Sequence, residues 1–196
     1  MYNLNTLIHY NNEVKVLKKL FVLLISISLL VGCSFMNGPR ESVDKLFKKY
    51  QALDEDVMED LELASENSIF TNDEQRKSYS SLMEKQFSDM KYEITNEEID
   101  GEEAIVTVNI NVYDYYKAQK EADDYLILHR SEFVTNDIFD SAKFLEYKIK
   151  KMMDTTDRIE YTVKVNLNKK DKEWVVDEFD TITLKKIHGT YNYENN

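Results

Sequence analysis

Cys33 is the residue with the most distinctive chemistry, because it is the single cysteine among the 196 residues of the chain. A lone thiol excludes an internal disulfide framework and any cysteine-rich zinc or iron–sulfur site. Lysines within residues 15–19 precede an apolar run over residues 20–31, and Gly32 separates that run from Cys33. A basic region, a short apolar region and a small residue before a cleavage point are typical of a signal peptide.

The apolar run over residues 20–31 is too short to cross a membrane permanently. As an α-helix it would span roughly 20 Å at about 1.5 Å per residue, whereas the hydrocarbon core of a bilayer is about 30 Å thick. We therefore expect residues 1–32 to be a removable signal peptide rather than a transmembrane helix.

Residues Leu30-Val31-Gly32-Cys33 resemble the lipobox of bacterial lipoproteins. The resemblance implies signal cleavage between Gly32 and Cys33, where the small glycine gives the peptidase access to the bond. It also implies that the Cys33 thiol is the lipid attachment site and carries a diacylglyceryl group as a thioether. Two acyl chains attach a protein stably, whereas one binds marginally. The expected localisation is the cell membrane, with the protein lipid-anchored on the extracytoplasmic face.

The charge of the chain limits its partners. Lys and Arg number 25 against 37 Asp and Glu, which gives a formal net charge of −12. Such a chain lacks the basic surface that nucleic-acid binding requires, and anionic lipid headgroups would repel it. We therefore expect no nucleic-acid partner and a membrane contact through the N-terminal lipid; a protein or small-molecule ligand stays unidentified.

Beyond the leader, the sequence predicts one domain. Residues 33–40 form a short lipidated tether, and residues 41–196 contain no internal repeat and no second linker. A segment of this length can bury a core of its own. We therefore expect residues 41–196 to be a single α+β domain.

Four segments have the apolar spacing of amphipathic helices. The first covers residues 40–64, and the second begins at a capping box, Thr71-Asn-Asp-Glu74, and runs to about residue 91. The third covers residues 115–128. The fourth follows Asp140, and its apolar stripe consists of Leu145, Ile149 and Met152.

Alternating apolar and polar residues predict two pairs of strands. The first pair includes residues 104–112 and is joined by Asp100-Gly101, a turn typical of a β-hairpin. The second pair consists of residues 159–167 and 174–176, and a further strand is expected near 181–184. Strands with one polar face favour a sheet that is covered on one side only. The predicted fold class is therefore α+β, with an antiparallel sheet of two hairpins covered on one side by helices.

With this order of elements, the mature region resembles uncharacterised bacterial lipoproteins that have an NTF2-like, or cystatin-like, domain. The shared features are a helix after the lipobox, a capped second helix, and a late hairpin that ends in Trp174-Val-Val-Asp177. The resemblance covers roughly residues 40–188 and is one of pattern, without a catalytic motif. It implies an NTF2-like/cystatin-like fold.

Asp114 is the one candidate for a catalytic acid. By strand parity it lies on the apolar face with Ile110 and Val112, beside tyrosines at positions 113, 115 and 116. An acid held in an apolar pocket can act as a general base, and the NTF2-like resemblance implies such an acid with a tyrosine donor. Alternatively, Asp114 caps a helix that starts at Tyr115.

The other residue patterns predict no catalytic, cofactor or metal site. His129 and His188 have no HExxH-type partners, and neither a GxSxG motif nor a Walker-type loop occurs. Two classes of function therefore stay open. One is a lipid-anchored extracytoplasmic module that binds a ligand or partner at the cell surface; the other is a small isomerase or hydrolase with an apolar pocket around Asp114.

Overall fold

The computed structural model describes residues 38–66, 70 and 72–194, which form an α+β fold of six α-helices and a four-stranded antiparallel sheet. Cys33 and the rest of the predicted lipobox lie outside the described residues. The predicted α+β class is confirmed for the described part of the chain. None of the described helices is both long enough and apolar enough to cross a bilayer.

The described helices begin at the end of the predicted tether. They are α1 (Pro39–Ala52), α2 (Glu55–Glu66), α3 (Asp73–Ser88), α4 (Tyr115–Leu128), α5 (Ser141–Asp154) and α6 (Thr181–Ile187), and a short 3-10 helix covers Arg130–Phe133. Pro39 suits the first turn of α1 because that turn leaves its N–H groups without helical partners. The first helix thus starts two residues before the predicted domain boundary.

The main sheet consists of two β-hairpins side by side, as the alternation predicts. The strands are β1 (Lys91–Asp100), β2 (Glu103–Tyr113), β3 (Val134–Thr135), β4 (Ile138–Phe139), β5 (Arg158–Lys170) and β6 (Glu173–Val176). The order in the main sheet is β1-β2-β5-β6, and β2 pairs with β5 from Glu103↔Asn168 to Tyr113↔Arg158. The small β3–β4 ribbon was not predicted, because each of its strands is only two residues long.

The alternation along the strands decides which face of the sheet is covered. Val106, Val108 and Ile110 of β2 are fully buried, whereas Asn109 between them is exposed. Strand β5 repeats this pattern, with Tyr161, Val163, Val165 and Leu167 buried. The helices therefore cover one face of the sheet, and the other face is polar and open.

The core forms where α1 packs against the buried face of the sheet. Val43 and Phe47 of α1 are fully buried, and the Phe47 ring stacks on Tyr92 of β1 with centroids 5.0 Å apart. Burying one such side chain stabilises the fold by about 1.5–3 kcal/mol. The buried core residues of the described part all lie between Val43 and Ile187. The core of the described residues therefore lies within residues 41–196.

The prediction of a single helix over residues 40–64 is wrong, because the chain breaks between α1 and α2. Leu53 adopts the left-handed conformation, with φ 52°, that commonly ends a helix. The N–H of Asp54 donates to the carbonyl of Lys49 at 3.0 Å and closes the helix end. Apolar spacing missed this break, since the spacing continues through it to Val57 and Leu61.

The prediction of a strand near residues 181–184 is wrong, because these residues form the first turn of α6. Asp180 is the N-cap, and its Oδ1 accepts the N–H of Thr183 at 2.6 Å. This hydrogen bond lowers the pKa of Asp180. For α3 the N-cap is Asn72, and the predicted capping residue Thr71 lies outside the described residues.

Candidate functional site

Asp114 lies at the junction where β2 ends and α4 begins. The alternation of β2 continues to this position, so the side chain turns to the buried side and is 6% exposed. Its Oδ1 accepts the backbone N–H of Lys117 at 3.0 Å, which is the hydrogen bond of a helix N-cap. The capping alternative predicted from the sequence is therefore confirmed.

The second carboxylate oxygen of Asp114 accepts a hydrogen bond from the hydroxyl of Tyr193 at 3.0 Å. Burial and this hydrogen bond raise the pKa of Tyr193 to about 12, so the hydroxyl keeps its proton at neutral pH. The Tyr193 ring meets Tyr116 edge-on, with centroids 4.9 Å apart. Both oxygens of Asp114 thus have partners inside the protein.

The C-terminal segment, residues 189–194, closes over the start of α4, and we call it the C-terminal clasp. Its first residue, Gly189, accepts the N–H of Tyr116 through its carbonyl at 2.7 Å. Near its end, Glu194 pairs with Lys120 at 2.6 Å. These contacts hold the clasp against the helix terminus that Asp114 caps.

Gly189 packs directly against the backbone of β2. It has a φ of 69°, and a Cβ at this position would overlap the carbonyl oxygen of Tyr113 and the side-chain amide of Gln86. The buried Gln86 already binds the backbone of Tyr113, donating from Nε2 to its carbonyl at 3.1 Å and accepting its N–H on Oε1 at 2.8 Å. Only glycine therefore fits the first position of the clasp.

An enzymatic role for Asp114 requires a cavity in which a substrate reaches the acid. The hydrogen-bond partners of its carboxylate are the Lys117 N–H and the Tyr193 hydroxyl, and neither His129 nor His188 is one of them. The four depressions described below are lined by other residues. This arrangement favours stabilisation of the α4 terminus over proton transfer.

A groove between α3, α4 and α5 forms an apolar concave surface with a volume of about 520 Å³, and we call it the helix groove. Small-molecule sites typically have volumes of about 300–1,000 Å³ and mainly apolar linings. The apolar walls of the helix groove come from Phe70, Tyr79, Phe144, Leu145, Ile149 and Met152.

The polar groups of the helix groove are few. They are the amides of Gln75 and Gln119, the hydroxyls of Tyr79 and Ser141, and the ammonium of Lys148. Lys148 is the only charged residue among the described residues that line the groove. It pairs with Asp123 of α4 at 2.5 Å. The groove therefore combines an apolar wall with one ammonium, which is ion-paired to Asp123.

Three other depressions among the described residues have both carboxylates and basic side chains in their linings. The largest, between α2 and α3, has a volume of about 1160 Å³ and contains Glu55, Glu59, Glu62, Asp73 and Glu84. The other two contain Glu41, Asp44 and Glu97, and Glu74 and Glu146, respectively. These acids do not form a metal centre, because the described residues include no group of three or more potential ligands placed to hold a metal ion.

The sequence pattern predicted part of the helix groove, but as core. The predicted stripe of α5 is real, and its members Ile149 and Met152 are buried. Leu145, however, is only partly buried and lines the groove. The sequence feature that indicated an exposed apolar surface was the pair Phe144 and Leu145. Adjacent residues of a helix point in different directions, so both cannot lie on the same narrow buried face.

His188 is expected to make the domain less stable in mild acid. Its ring lies 5.8 Å from that of Phe87, and burial lowers its pKa to about 4 from the usual 6.5. The unfolded chain takes up this proton near pH 6.5, whereas the native chain does so near pH 4. The stability that the neutral His188 ring contributes to the fold is therefore fully present above about pH 6.5, and it is lost as the pH falls toward about 4.

Between pH 7.5 and pH 5, we expect His188 to account for a loss of about 1–2 kcal/mol in the free energy of unfolding. Urea denaturation followed by Trp174 fluorescence at both pH values measures this loss. The His188→Gln variant should lose less stability between the two pH values, because its side chain does not titrate. Equal losses in the variant and the wild type would assign the pH dependence to other groups.

Comparisons with known proteins give little for this chain. No family model matches it, and no curated protein matches it significantly. A solved structure of the ycdA protein of Bacillus subtilis, provisionally assigned as a lipoprotein, is similar with a TM-score of 0.45 and 16% sequence identity. The similarity covers 70% of this chain and 47% of ycdA, so this chain spans about half the length of that protein. A likeness of this size assigns no function.

Proposed function

We propose that this chain is a lipid-anchored extracytoplasmic lipoprotein whose domain acts as a binding module. The helix groove is the observation that carries the binding part, because it has the volume, the apolar walls and the few polar groups of a ligand site. Both carboxylate oxygens of Asp114, in contrast, bind other parts of the protein. The proposal therefore assigns the domain to binding rather than to turnover.

The anchoring part of the proposal rests on the sequence around Cys33. The basic and apolar leader, followed by Gly32 and Cys33, supports lipid attachment at the thiol and an extracytoplasmic location. Residues 34–38 separate Cys33 from the start of α1, and an extended chain of this length reaches about 20 Å. A lipid on Cys33 would therefore hold the folded domain close to the bilayer.

We further propose that the domain is a distant NTF2-like, or cystatin-like, one. The order of elements supports this, since helices precede the first hairpin and helices cover one face of the sheet. The late hairpin also carries Trp174, whose ring lies 5.6 Å from the ammonium of Lys169.

The anchor is tested by replacing Cys33 with alanine. Wild-type protein in cells fed an alkyne-tagged fatty acid should take up the label and stay in the membrane fraction. The Cys33→Ala variant should take up no label and should be unprocessed or released, because no thiol is left to form the thioether. Gel fluorescence after coupling to a dye, together with membrane fractionation, measures both properties.

The matched control is Ser34→Ala, which changes the next residue and leaves Leu30-Val31-Gly32-Cys33 intact. This variant should be labelled and retained like the wild type. Label that persists in the Cys33→Ala protein would contradict lipidation at Cys33. Loss of label in both variants would contradict the assignment of the modification to the thiol alone.

A further inference from the structure

We propose that the helix groove binds a single-chain amphiphile with an apolar body and one carboxylate, as in a fatty acid anion. This inference rests on the binding part of the proposed function and does not depend on the lipid anchor. It follows from two features of the groove, its apolar walls and the charge of its one ionised side chain.

The apolar walls fit the body of such a ligand. The rings of Phe70 and Tyr79 lie with centroids 4.9 Å apart on the α3 side, and Phe144 and Leu145 face them from α5. A chain of methylene groups placed between these walls would leave water and bury apolar surface, at about 25 cal/mol per Å². A volume of about 520 Å³ suits one such chain.

The charge of the groove selects an anionic end. The linings of the three other depressions mix carboxylates with basic side chains, whereas the described lining of the helix groove has no carboxylate and has Lys148 as its one charged residue. In a chain with a net charge of −12, the groove therefore offers an anion one ammonium and no carboxylate in its described lining. A carboxylate near Lys148 would form a charge-assisted hydrogen bond, whereas a cationic end would be repelled.

Asp123 competes with the ligand for the same ammonium. It pairs with Lys148 at 2.5 Å, and its side chain is 54% exposed against 23% for that of Lys148. A ligand carboxylate would therefore share or displace Asp123, which is the more exposed partner. Removal of Asp123 should consequently strengthen ligand binding, although it breaks an ion pair between α4 and α5.

The test uses the mature chain from residue 33 with Cys33→Ser, whose described core lies wholly within residues 43–187. Isothermal titration calorimetry at pH 8 compares dodecanoate with dodecyltrimethylammonium, both below their micelle concentrations. Dodecanoate should bind saturably and more tightly than the cationic amphiphile. The Ala142→Phe variant places a ring in the groove and should lose binding, while its thermal melt stays cooperative.

Substitutions of the ion pair should act in opposite directions. Lys148→Gln should weaken dodecanoate binding about tenfold, because it removes a charge-assisted hydrogen bond, and Asp123→Asn should strengthen it. Lys143→Gln, an exposed residue of α5 that does not line the groove, should leave the affinity unchanged. A purely structural ion pair predicts instead that both substitutions weaken binding.

Three results would overturn the inference. The first is weaker binding in both ion-pair variants. The second is equal affinity for the anionic and cationic amphiphiles with loss of both in Ala142→Phe, which would keep the groove as a binding site but reject the carboxylate. The third is no binding of either amphiphile. The lipid anchor is not affected by any of them, since it fails only in the Cys33 labelling experiment.

Discussion

Replacement of Gly189 by alanine is expected to lower the free energy of unfolding by about 2–4 kcal/mol. A left-handed conformation costs an L-residue about 1 kcal/mol, and Gly189 has a φ of 69°. The new Cβ also overlaps the carbonyl oxygen of Tyr113 and the buried amide of Gln86, and such overpacking costs about 1–3 kcal/mol. Urea denaturation of residues 33–196, followed by Trp174 fluorescence, measures the loss.

Gly101→Ala is the matched control for this prediction. Gly101 also has a positive φ, 62°, but a Cβ there would meet nothing within 4 Å. Its replacement should therefore cost only the conformational part, about 1 kcal/mol. If the two variants lost the same stability, the close packing of the C-terminal clasp against β2 would be contradicted.

Asp114→Ala is expected to destabilise the domain by about 1–3 kcal/mol. The alanine removes the N-cap of α4, which is worth about 0.5–2 kcal/mol. It also removes the acceptor of the partly buried Tyr193 hydroxyl, and a typical intramolecular hydrogen bond contributes about 0.5–1.5 kcal/mol. Thermal melts and urea denaturation of residues 33–196 measure the change.

The Asp114→Asn variant keeps a side chain that can cap α4 but removes the carboxyl group, so it distinguishes a capping role from a role as an acid. Asparagine caps as well as aspartate, and its amide can donate to the Tyr193 oxygen, so we expect a loss below about 1 kcal/mol. A double-mutant cycle of Asp114→Ala with Tyr193→Phe should show coupling, because the two side chains share one hydrogen bond. An asparagine variant as unstable as the alanine variant would contradict the capping role.

The local elements were predictable from the sequence where the pattern of residues is periodic or a cap is present. Strand β2 follows the alternation through Val112, and the Asp100-Gly101 turn joins the first hairpin. The sequence-based predictions were wrong where the backbone conformation or the cap at one residue outweighs the apolar spacing. Leu53 ends α1 by adopting a positive φ, and the cap at Asp180 makes a helix of residues that also suit a strand.

The candidate sites were less predictable, because their partners come from distant parts of the chain. Capping by Asp114 is a local event and could be proposed from its position before Tyr115. Its second partner, Tyr193, lies 79 residues further along the chain, and the sequence contains no signal for this contact.

The sequence by itself determined the α+β class, the two hairpins and the polar face of the sheet. These features depend on residue types within a few positions of one another, so local patterns in the sequence predict them. The tertiary structure alone decided that the C-terminal clasp covers Asp114 and that three helices form the helix groove. Those contacts join segments that are distant in sequence, and packing of whole elements places them together.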